Sequence, residues 1–558
     1  MTPEGGDRRG GWRTCALLAG LMAAEFILFD QVGAHWHTRV YPRWNDQIQY
    51  LTEAYTGYEY MLAHGFWAGL WQTITHPAAQ GTLDDCYAVL LFRLVGPSRS
   101  AALAVNMIAF LAWQGALFFA VARGTGSRAL GWVSAGLLLS LAGPWSATYG
   151  SAVDFRLDHM AMCAMGVALA AALLTDRFRA TGWSLLFGAA AGITLSTRFL
   201  TGPYFIVIFA ACAVWAALGG EKGRRLRNLA LAALVAFALA APLVWLNRIW
   251  VYNYYWIGHF FGPESAIRNP HLNLEQSIAF VAGHLSGDHL GAAFWVLAAV
   301  VSAALGVWAI VVRRRSLEAG MPSAVSWPRQ AGALGAIFLL APGIILTLHN
   351  LKSPIVEGIM APGLIVVLLA GWAALFEFGR RRLPRTATLR PMTVLAGLAL
   401  LFGGGYFTAR QFAPPFSDQF IADAGKVNAL ADGIFLRSKA AGLAAPRVGV
   451  DEVTDCLDGQ VLRVICYERH QVWVPFVMTL PTGIAEEKKD VLMEHLAQSD
   501  FVFITEDGPV GGWPYDREMR ELRPVTQAWC DAHLRPVDRF TLFGQRMVLY
   551  QRREIPLP

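Results

Sequence analysis

Residues 221–248 read EKGRRLRNLALAALVAFALAAPLVWLNR, a basic turn followed by an apolar run of spanning length. A transmembrane helix needs about 20 consecutive, mostly apolar residues, and this run meets that requirement. Lysine and arginine concentrate on the cytoplasmic side of a membrane. The stretch therefore predicts a membrane-spanning helix whose start lies on the cytoplasmic side.

Ten further apolar runs of spanning length flank this stretch. The first of them, at 15–29, follows Arg8, Arg9 and Arg13, and we interpret it as a retained span rather than a cleaved signal peptide. The other predicted spans are 100–122, 129–149, 159–175, 182–198, 203–218, 291–312, 331–348, 355–378 and 391–408. The chain is therefore predicted to be a polytopic α-helical membrane protein with about eleven transmembrane helices.

The charged residues give an independent check on these spans. Basic turns separate the apolar runs at Arg123/Arg128, 176–179, 221–227, 313–315 and 380–390. All of these turns fall on one side of the membrane if the spans are those given above, which identifies that side as cytoplasmic. The N-terminus is then cytoplasmic. The opposite side holds the loops 30–99, 149–158, 249–290 and 349–354 and the tail from about 412.

The composition agrees with a membrane protein and excludes several functions. Of the 558 residues, 55% are hydrophobic and 15% are charged, whereas soluble proteins carry about 25% charged residues. The net charge of +6 is concentrated in the basic turns, so we expect membrane lipids and no nucleic acid as partners. Walker, Gly-rich phosphate-loop, nucleophile-elbow and HExxH motifs are absent from the sequence, which argues against an ATP-driven pump and against a serine or zinc hydrolase.

The character of the chain changes after Phe412, where Ala-Pro-Pro opens a tail with spaced charges. Strand-like segments occur at 447–450, 501–505 and 541–550, and helical patterns occur at 419–440, 485–497 and 517–528. We predict a transmembrane domain over 1–411, with a long outer loop at 30–99, and a small extracytoplasmic α/β domain over 412–558. Within the outer loop, 48–70 has the aromatic pattern of an amphipathic helix lying in the membrane interface.

Several polar residues of the tail invite a functional interpretation. Asp423, Asp451 and Asp455 are interpreted as surface or capping residues, because charged side chains are usually solvated. Cys456 and Cys466 lie ten residues apart and could pair in an oxidising compartment. The spacing of the seven cysteines indicates neither a disulfide framework nor a zinc site.

The first polar group of the membrane part reads WNDQIQY at 44–50. Asp46 precedes an amphipathic helix with Tyr50 on one face, and a positioned carboxylate can take the proton of an attacking hydroxyl or amine. The alternative is an Asx cap that starts the helix, a role that Asn45 could fill by itself. We favour Asp46 as a catalytic base, with Tyr50 beside it as a substrate-binding residue.

The second group, VDFRLDH at 153–159, lies between the third and fourth spans. Asp154 and Asp158 are four residues apart, with Arg156 between them and His159 after them. At a helix start, Asp154, Asp158 and His159 could hold a divalent cation or position a substrate. In the alternative interpretation, Asp154 pairs with Arg156 and caps the following span.

The remaining groups are cationic. Arg198 ends the fifth span, and His349 and Lys352 lie in HNLKSP at 349–354, before the tenth span. A guanidinium and an ammonium on one face of the membrane suit a phosphate diester, the charged part of a lipid-phosphate substrate. Alternatively, these are snorkelling cations that mark the membrane interface.

Taken together, WNDQIQY, VDFRLDH and HNLKSP, the last followed by Met360-Ala361-Pro362, resemble motifs of the GT-C glycosyltransferases. The resemblance covers the membrane part and is strongest to bacterial members related to protein mannosyltransferases and the lipid A aminoarabinose transferase. It implies that Asp46 activates the acceptor, while Arg198 and Lys352 neutralise the lipid phosphate as it leaves. Gln47 follows Asp46 where many members carry a second carboxylate.

We therefore expect a hexosyl- or pentosyltransferase of the bacterial inner membrane. It would move a sugar from a polyprenyl-phosphate donor to an extracytoplasmic glycan, lipid or protein. No cofactor is called for, apart from a divalent cation if the second group binds one. The alternative is a non-catalytic transporter, flippase or scaffold for lipid-linked sugars in envelope polysaccharide assembly. Transporters generally show internal repeats and midplane polar residues, whereas here the polar groups gather at one edge.

Overall fold

A computed structural model describes most of the chain. The described residues are 8–41, 45–146, 150–218, 220–261, 265, 269–315, 326–380, 385–443, 446–450, 457, 459–473, 476–478, 489–506 and 517–555. The longer helices are, in chain order, α1 (Arg8–Leu28), α2 (Asn45–His64), α3 (Phe66–Thr75), α4 (Leu83–Val95), α5 (Arg99–Thr125), α6 (Arg128–Leu139), α7 (Leu157–Leu173), α8 (Thr181–Thr197), α9 (Thr201–Ala217), α10 (Lys222–Leu246), α11 (Leu274–His284), α12 (Gly291–Arg315), α13 (Ser326–Leu348), α14 (Ala361–Arg380), α15 (Arg385–Phe412), α16 (Asp418–Ala440), α17 (Gly459–His470), α18 (Lys489–Gln498) and α19 (Arg517–His533). The strands are β1 (Val448–Val450), β2 (Phe476–Met478), β3 (Phe501–Thr505), β4 (Leu534–Leu542) and β5 (Gln545–Arg552).

Two compact units make up the chain. The first comprises Met1–Ala34, His64–Leu90 and Ala102–Ala413, and the second comprises His35–Ala63, Leu91–Ala101 and Pro414–Pro558. The second unit thus includes, besides the tail, two segments that the sequence analysis assigned to the domain over 1–411. Hydropathy could not predict this association. The association depends on side-chain pairs such as Tyr55 with Glu468, which are 413 positions apart.

Apolar helices of spanning length confirm the predicted membrane-protein fold class. Among the described residues, seven helices are long and apolar enough to cross a membrane. They are Trp12–Thr38, Arg99–Thr125, Lys222–Leu246, Leu274–Val312, Trp327–Leu348, Glu357–Arg380 and Arg390–Phe412. Four other predicted spans coincide with α6 to α9, which have 12 to 17 residues and are short for a hydrocarbon core of about 30 Å. The predicted count of eleven spans is therefore not confirmed.

Local sequence explains where two predicted segments break. The span predicted at 129–149 ends as an α-helix at Leu139, and Gly143–Trp145 then forms a 3-10 turn with Pro144 near its start. Proline has no backbone N–H with which to continue a helix. The helix predicted at 48–70 is divided at Gly65, whose φ of +95° is accessible to glycine and costly for other residues.

Small residues let the helices of the first unit approach closely. A Cβ atom on Gly188 of α8 would lie 2.2 Å from the carbonyl oxygen of Ala232 on α10. A Cβ atom on Gly363 of α14 would lie 2.5 Å from the backbone nitrogen of Leu339 on α13. These distances exclude a side chain at either position, so both helix pairs pack backbone against backbone, as small residues allow in membrane bundles.

The second unit contains a five-stranded sheet of order β2-β1-β3-β5-β4, as the predicted α/β domain requires. Strands β2, β1 and β3 are parallel, with Val448 paired to Phe476 and Phe501, and β5 runs antiparallel to both β3 and β4. All residues of β3 are buried, as expected for a central strand covered on both faces. The core beside it consists of Leu492, Leu496, Val502, Ile504, Cys530, Leu534, Val548 and Tyr550.

Part of this domain was not predicted from the sequence. The segment predicted as one strand at 541–550 is a hairpin that turns at Phe543 and Gly544, whose φ angles are +51° and +80°. Strand β4, strand β2 and helix α17 were not predicted either. Buried and exposed residues alternate only weakly along β4, because most of the buried positions of the hairpin lie in its partner β5.

Of the tail residues singled out from the sequence, the structure describes Asp423 and Cys466. Asp423 is buried rather than solvated, and it accepts hydrogen bonds from Lys426 Nζ at 2.7 Å and from the backbone N–H of Phe543 at 3.0 Å. It therefore ties α16 to the β4–β5 hairpin. Cys466 is a buried free thiol. Asp451, Asp455 and Cys456 lie outside the described residues, so the interpretation of the two carboxylates and the cysteine pairing stay predictions.

Candidate functional site

A small cavity lies in the first unit, where α7 begins and α8 ends. Its lining combines two charged side chains with apolar and hydroxyl-bearing ones: Asp158, Ala161, Arg198, Leu200, Thr201, Tyr204, Ile355, Val356 and Ile359. The paired charges beside apolar side chains make this lining a candidate binding surface for a polar group.

An ion pair between Asp158 and Arg198 forms the charged part of the lining. Arg198 Nε lies 2.9 Å from Asp158 Oδ1, and the two side chains are 12% and 10% exposed. Asp158 lies in the first turn of α7, and Arg198 directly follows the last residue of α8. A negative charge at a helix N-terminus and a positive charge at a C-terminus each interact favourably with the helix dipole. Both side chains are thus oriented at the cavity by the ends of two helices.

Gln80 fixes the outer part of the Arg198 guanidinium. Arg198 Nη1 donates to Gln80 Oε1 at 2.5 Å, and Gln80 Nε2 donates to the hydroxyl of Tyr254 at 3.1 Å. The backbone of Gln80 is fixed as well, since its carbonyl oxygen accepts from the N–H of Phe199 at 2.8 Å. Gln80 was not identified from the sequence, because an isolated glutamine in a long loop does not indicate a partner 118 positions away.

Gly81 allows this loop to lie against the end of α8. Its φ is +152°, and a Cβ atom there would lie 1.9 Å from the carbonyl oxygen of Thr197. Only glycine permits this approach. The close contact places Gln80 beside Arg198, so the geometry of the guanidinium depends on a residue that does not touch it.

Two tyrosines lie near Arg198. Tyr204, on α9, lines the cavity, and its buried hydroxyl has no hydrogen-bond partner among the described residues. Tyr255 is half-buried with a buried hydroxyl, and this burial raises its pKa to about 12, with the charge of Arg198 acting in the opposite direction. The Tyr255 hydroxyl is therefore neutral at physiological pH. Tyr204 was not singled out from the sequence, because it lies within the apolar span predicted at 203–218.

Lys352 binds the end of α13 in this structure. Its ammonium donates to the backbone carbonyl oxygens of Leu346 at 3.0 Å, Thr347 at 2.9 Å and His349 at 2.5 Å. An ammonium has three donors, and in this structure they cap the C-terminal end of α13. Burial lowers the pKa of Lys352, while the nearby charge of Glu357 raises it. The phosphate-binding role of Lys352 stays a prediction, and it requires exchange of these hydrogen bonds.

His349 lies among aromatic rings. Its ring centroid is 5.3 Å from that of His259 and 5.4 Å from that of Phe260, and its Nδ1 is 3.2 Å from the N–H of Leu351. Burial lowers the pKa of His349 from its ordinary value. The imidazole is consequently neutral near pH 7, so it can offer a hydrogen bond to a substrate but not a full positive charge.

The polar residues of VDFRLDH make contacts with different partners. Asp154 Oδ2 lies 3.1 Å from Arg156 Nε in a buried ion pair, which is the pairing that the sequence analysis gave as the alternative. His159 is fully buried, stacks with Phe110 and places Nε2 3.6 Å from Cys163 Sγ. Asp158 instead pairs with Arg198. Within the described ranges, no three metal-ligating side chains come together, so the candidate set of Asp154, Asp158 and His159 is not assembled there.

Glu357 is a buried acidic residue that the sequence analysis did not single out. It is 1% exposed and begins the 3-10 turn Glu357–Met360 that leads into α14. Its Oε2 has no hydrogen-bond partner among the described residues, and Glu357 lies close enough to Lys352 and Asp158 for electrostatic interaction with both. A carboxylate inside the span predicted at 355–378 was the available signal, because such residues are costly and usually functional.

The remaining predicted site residues belong to the second unit. Asp46 lies in the first turn of α2 and is exposed, and Tyr50 lies one turn later and is 6% exposed. The side chain of Asn45, which the alternative cap requires, lies outside the described residues. The structure therefore groups Asp158, Arg198, His349 and Lys352 in one unit and Asp46 with Tyr50 in the other, and the catalytic role of Asp46 stays a prediction.

Comparison with solved structures identifies the fold. The chain superposes on ArnT from Cupriavidus metallidurans in the apo state with a TM-score of 0.56 at 15% identity, covering 98% of each chain. It superposes on ArnT from the same organism bound to undecaprenyl phosphate with a TM-score of 0.56 at 15% identity, covering 99% of this chain and 100% of that one. No family model and no curated protein matches the chain. The expected GT-C-like membrane fold is therefore confirmed.

Proposed function

We propose that this chain is a membrane glycosyltransferase that moves a sugar from a polyprenyl-phosphate donor to an acceptor outside the cytoplasm. The observation that carries the proposal is Arg198, a guanidinium held by Asp158 at 2.9 Å and by Gln80 at 2.5 Å on the wall of a small cavity. The shared fold with ArnT supports the same reaction class, and undecaprenyl phosphate bound to one ArnT structure supports a lipid phosphate as partner.

The chemistry of the leaving group explains why a fixed cation is useful. A polyprenyl-phosphate sugar is a phosphate diester with one negative charge. When the bond between the anomeric carbon and the phosphate oxygen breaks, the lipid departs as a monoester that carries a second negative charge. A preorganised guanidinium stabilises that developing charge more than it stabilises the diester, so it lowers the barrier instead of merely tightening binding.

The acceptor side of the reaction is assigned to Asp46. A hydroxyl or amine of the acceptor attacks the anomeric carbon, the phosphate leaves from the opposite face, and the acceptor proton passes to the carboxylate. Transfer would then invert the anomeric configuration. Support for Asp46 comes from the resemblance of WNDQIQY to the first motif of the GT-C enzymes, and Tyr50 would contact the bound substrate. The acceptor class is a glycan, a lipid or a protein.

Turnover of purified protein tests the proposal. The protein, in detergent or liposomes, is incubated with undecaprenyl-phosphate hexoses and pentoses and with glycan, lipid and peptide acceptors, and released undecaprenyl phosphate is measured by mass spectrometry. We expect release with at least one donor, and a loss of about 100-fold in Arg198→Gln, the size typical for removal of one preorganised donor.

The matched control is Arg179→Gln. Arg179 pairs with Asp176 at 3.5 Å and Glu221 at 3.3 Å in a turn between α7 and α8, away from the cavity lining. Its loss should leave turnover within about twofold of wild type. Donor binding without release from any donor would contradict the enzyme and identify a transporter or scaffold, and equal turnover in both arginine variants would remove Arg198 from the mechanism.

A further inference from the structure

The carboxylate of Glu468, on α17 of the tail, joins two tyrosines of the outer loop within the second unit. The hydroxyl of Tyr41 donates to Oε2 and the hydroxyl of Tyr55 donates to Oε1, both at 2.6 Å. Hydrogen bonds of 2.5–2.7 Å from a hydroxyl to a carboxylate are charge-assisted and stronger than neutral ones. Each carboxylate oxygen thus binds a different point of the same chain segment.

Aromatic packing reinforces this connection. The ring centroids of Tyr55 and Tyr467 lie 4.9 Å apart, and Tyr467 stacks on Trp473 at 4.3 Å. Trp473 in turn donates from Nε1 to Glu59 Oε2 at 2.6 Å. Tyr55 and Glu59 are four residues apart and therefore share one face of α2. The tail contacts that face at two successive helical turns.

Arg99 holds the chain that precedes α2. Its guanidinium donates from Nη2 to the carbonyl oxygen of His37 at 2.9 Å and from Nη1 to that of Val40 at 3.0 Å. It also lies 4.8 Å from the ring of Tyr41. Tyr41 is consequently fixed at both ends, by Arg99 at the ring and by Glu468 at the hydroxyl.

Asp46 lies between the two tyrosines in the sequence, five residues after Tyr41 and nine before Tyr55. We propose that Glu468 is a positioning residue, which fixes the start of α2, and with it Asp46, through Tyr41 and Tyr55. This inference rests on the proposed function, because it assigns the tail the task of orienting the acceptor base. A displacement of about 1 Å in a reacting group can cost on the order of 100-fold in rate, so a fixed helix start has direct catalytic value.

The test uses full-length protein and two independent measurements. Hydrogen–deuterium exchange reports the mobility of the peptide over 45–55, and turnover is separated into kcat and the donor dissociation constant. In Glu468→Ala we expect faster exchange in that peptide, a loss in kcat of at least tenfold, and a donor dissociation constant within twofold of wild type. Tyr41→Phe and Tyr55→Phe keep the rings and each remove one hydrogen bond, so they should show the same pattern at smaller size even if Glu468→Ala fails to fold.

Arg469→Gln is the matched control. Arg469 follows Glu468 directly but pairs with Asp432 on α16, at 2.6 and 2.7 Å, instead of with the outer loop. It should leave both exchange over 45–55 and kcat unchanged. Unchanged exchange in the tyrosine variants, or faster exchange with an unaltered kcat, would overturn the positioning role. If wild type shows no transfer from any donor while Glu468→Ala still loosens 45–55, the proposed function fails and the structural connection stands.

Discussion

Arg198 and Asp158 join the end of one helix to the start of another, with Nε and Oδ1 2.9 Å apart on the wall of the candidate cavity. Both side chains are nearly buried, so each charge depends on the other for its solvation. The pair fixes the guanidinium beside the cavity, and a guanidinium is a group that binds phosphate oxygens well, which is why Arg198 stands at the centre of the proposed reaction.

The first prediction concerns this pair. In a double-mutant cycle of Asp158→Asn and Arg198→Gln, each single variant should lower the unfolding temperature, and the double variant should lower it by less than the sum. The interaction free energy should be about 0.5–3 kcal/mol, the range for residues in direct contact. Thermal unfolding of the purified protein provides the measurement. Additive effects would mean that the two charges do not interact in the folded protein.

Gln80 supplies the second prediction. Gln80→Ala removes the acceptor for Arg198 Nη1 while leaving the ion pair with Asp158, so the guanidinium keeps its charge and loses its fixed orientation. We expect a loss of about tenfold in kcat for transfer, because orientation contributes through near-attack geometry. The control is Gln72→Ala, at an exposed position of α3, whose steady-state kcat should equal that of wild type. If Gln80→Ala kept the full kcat, the orientation of Arg198 by Gln80 would not contribute to catalysis.

The third prediction tests the loop that carries Gln80. Gly81→Ala places a methyl group where the carbonyl oxygen of Thr197 lies 1.9 Å away, so the loop must move from the end of α8. We expect destabilisation of about 1–3 kcal/mol, as for other overpacked sites. Turnover should also fall, because Gln80 moves with the loop. Gly182→Ala, where no atom lies within 4 Å, is the control in thermal unfolding, and equal stability of the two variants would argue against the close contact.

The fourth prediction is a pH dependence in the second unit. The hydrogen bond from Arg469, with a further one from His470, lowers the pKa of Asp432 below its ordinary value. The carboxylate therefore stabilises the fold above the pKa of an unfolded aspartate, about 3.9, and this contribution is lost as the pH falls through the lower folded pKa. Asp432→Asn should cost about 1 kcal/mol at pH 7 and distinctly less near pH 3, measured by thermal unfolding. An equal cost at both pH values would show that charge is not the cause.

Much of the fold follows from the sequence because apolar runs and basic turns are local signals. Helices α1, α5, α10, α12, α13, α14 and α15 lie where spans were predicted. The four spans at α6 to α9 are not confirmed as full crossings, and hydropathy does not reveal where a helix such as α6 ends before Pro144. In the tail, a hairpin was read as a single strand because the turn at Phe543 is short and apolar.

The candidate site was predictable only in part. Asp158 and Arg198 were named from their chemistry, but their pairing was not, because they belong to different motifs. Glu357 was missed although a carboxylate inside a predicted span is itself a signal. Gln80 and Tyr204 were missed, since each becomes informative only through a neighbour distant in the sequence. The connection of Glu468 to Tyr41, over 427 positions, is of the same kind. A single sequence carries residue types and spacings, whereas such contacts are set by the packing of whole helices.

The most direct test of the central claim is phosphorus NMR of the donor during the reaction. A phosphate diester and a phosphate monoester give separate ³¹P signals, so the spectrum reports whether the bond to the sugar breaks. With an undecaprenyl-phosphate sugar and its acceptor, we predict that wild-type protein converts the diester signal into a monoester signal and that Arg198→Gln does so about 100-fold more slowly. A diester signal that persists for every donor and acceptor, while the lipid remains bound to the protein, would contradict the account.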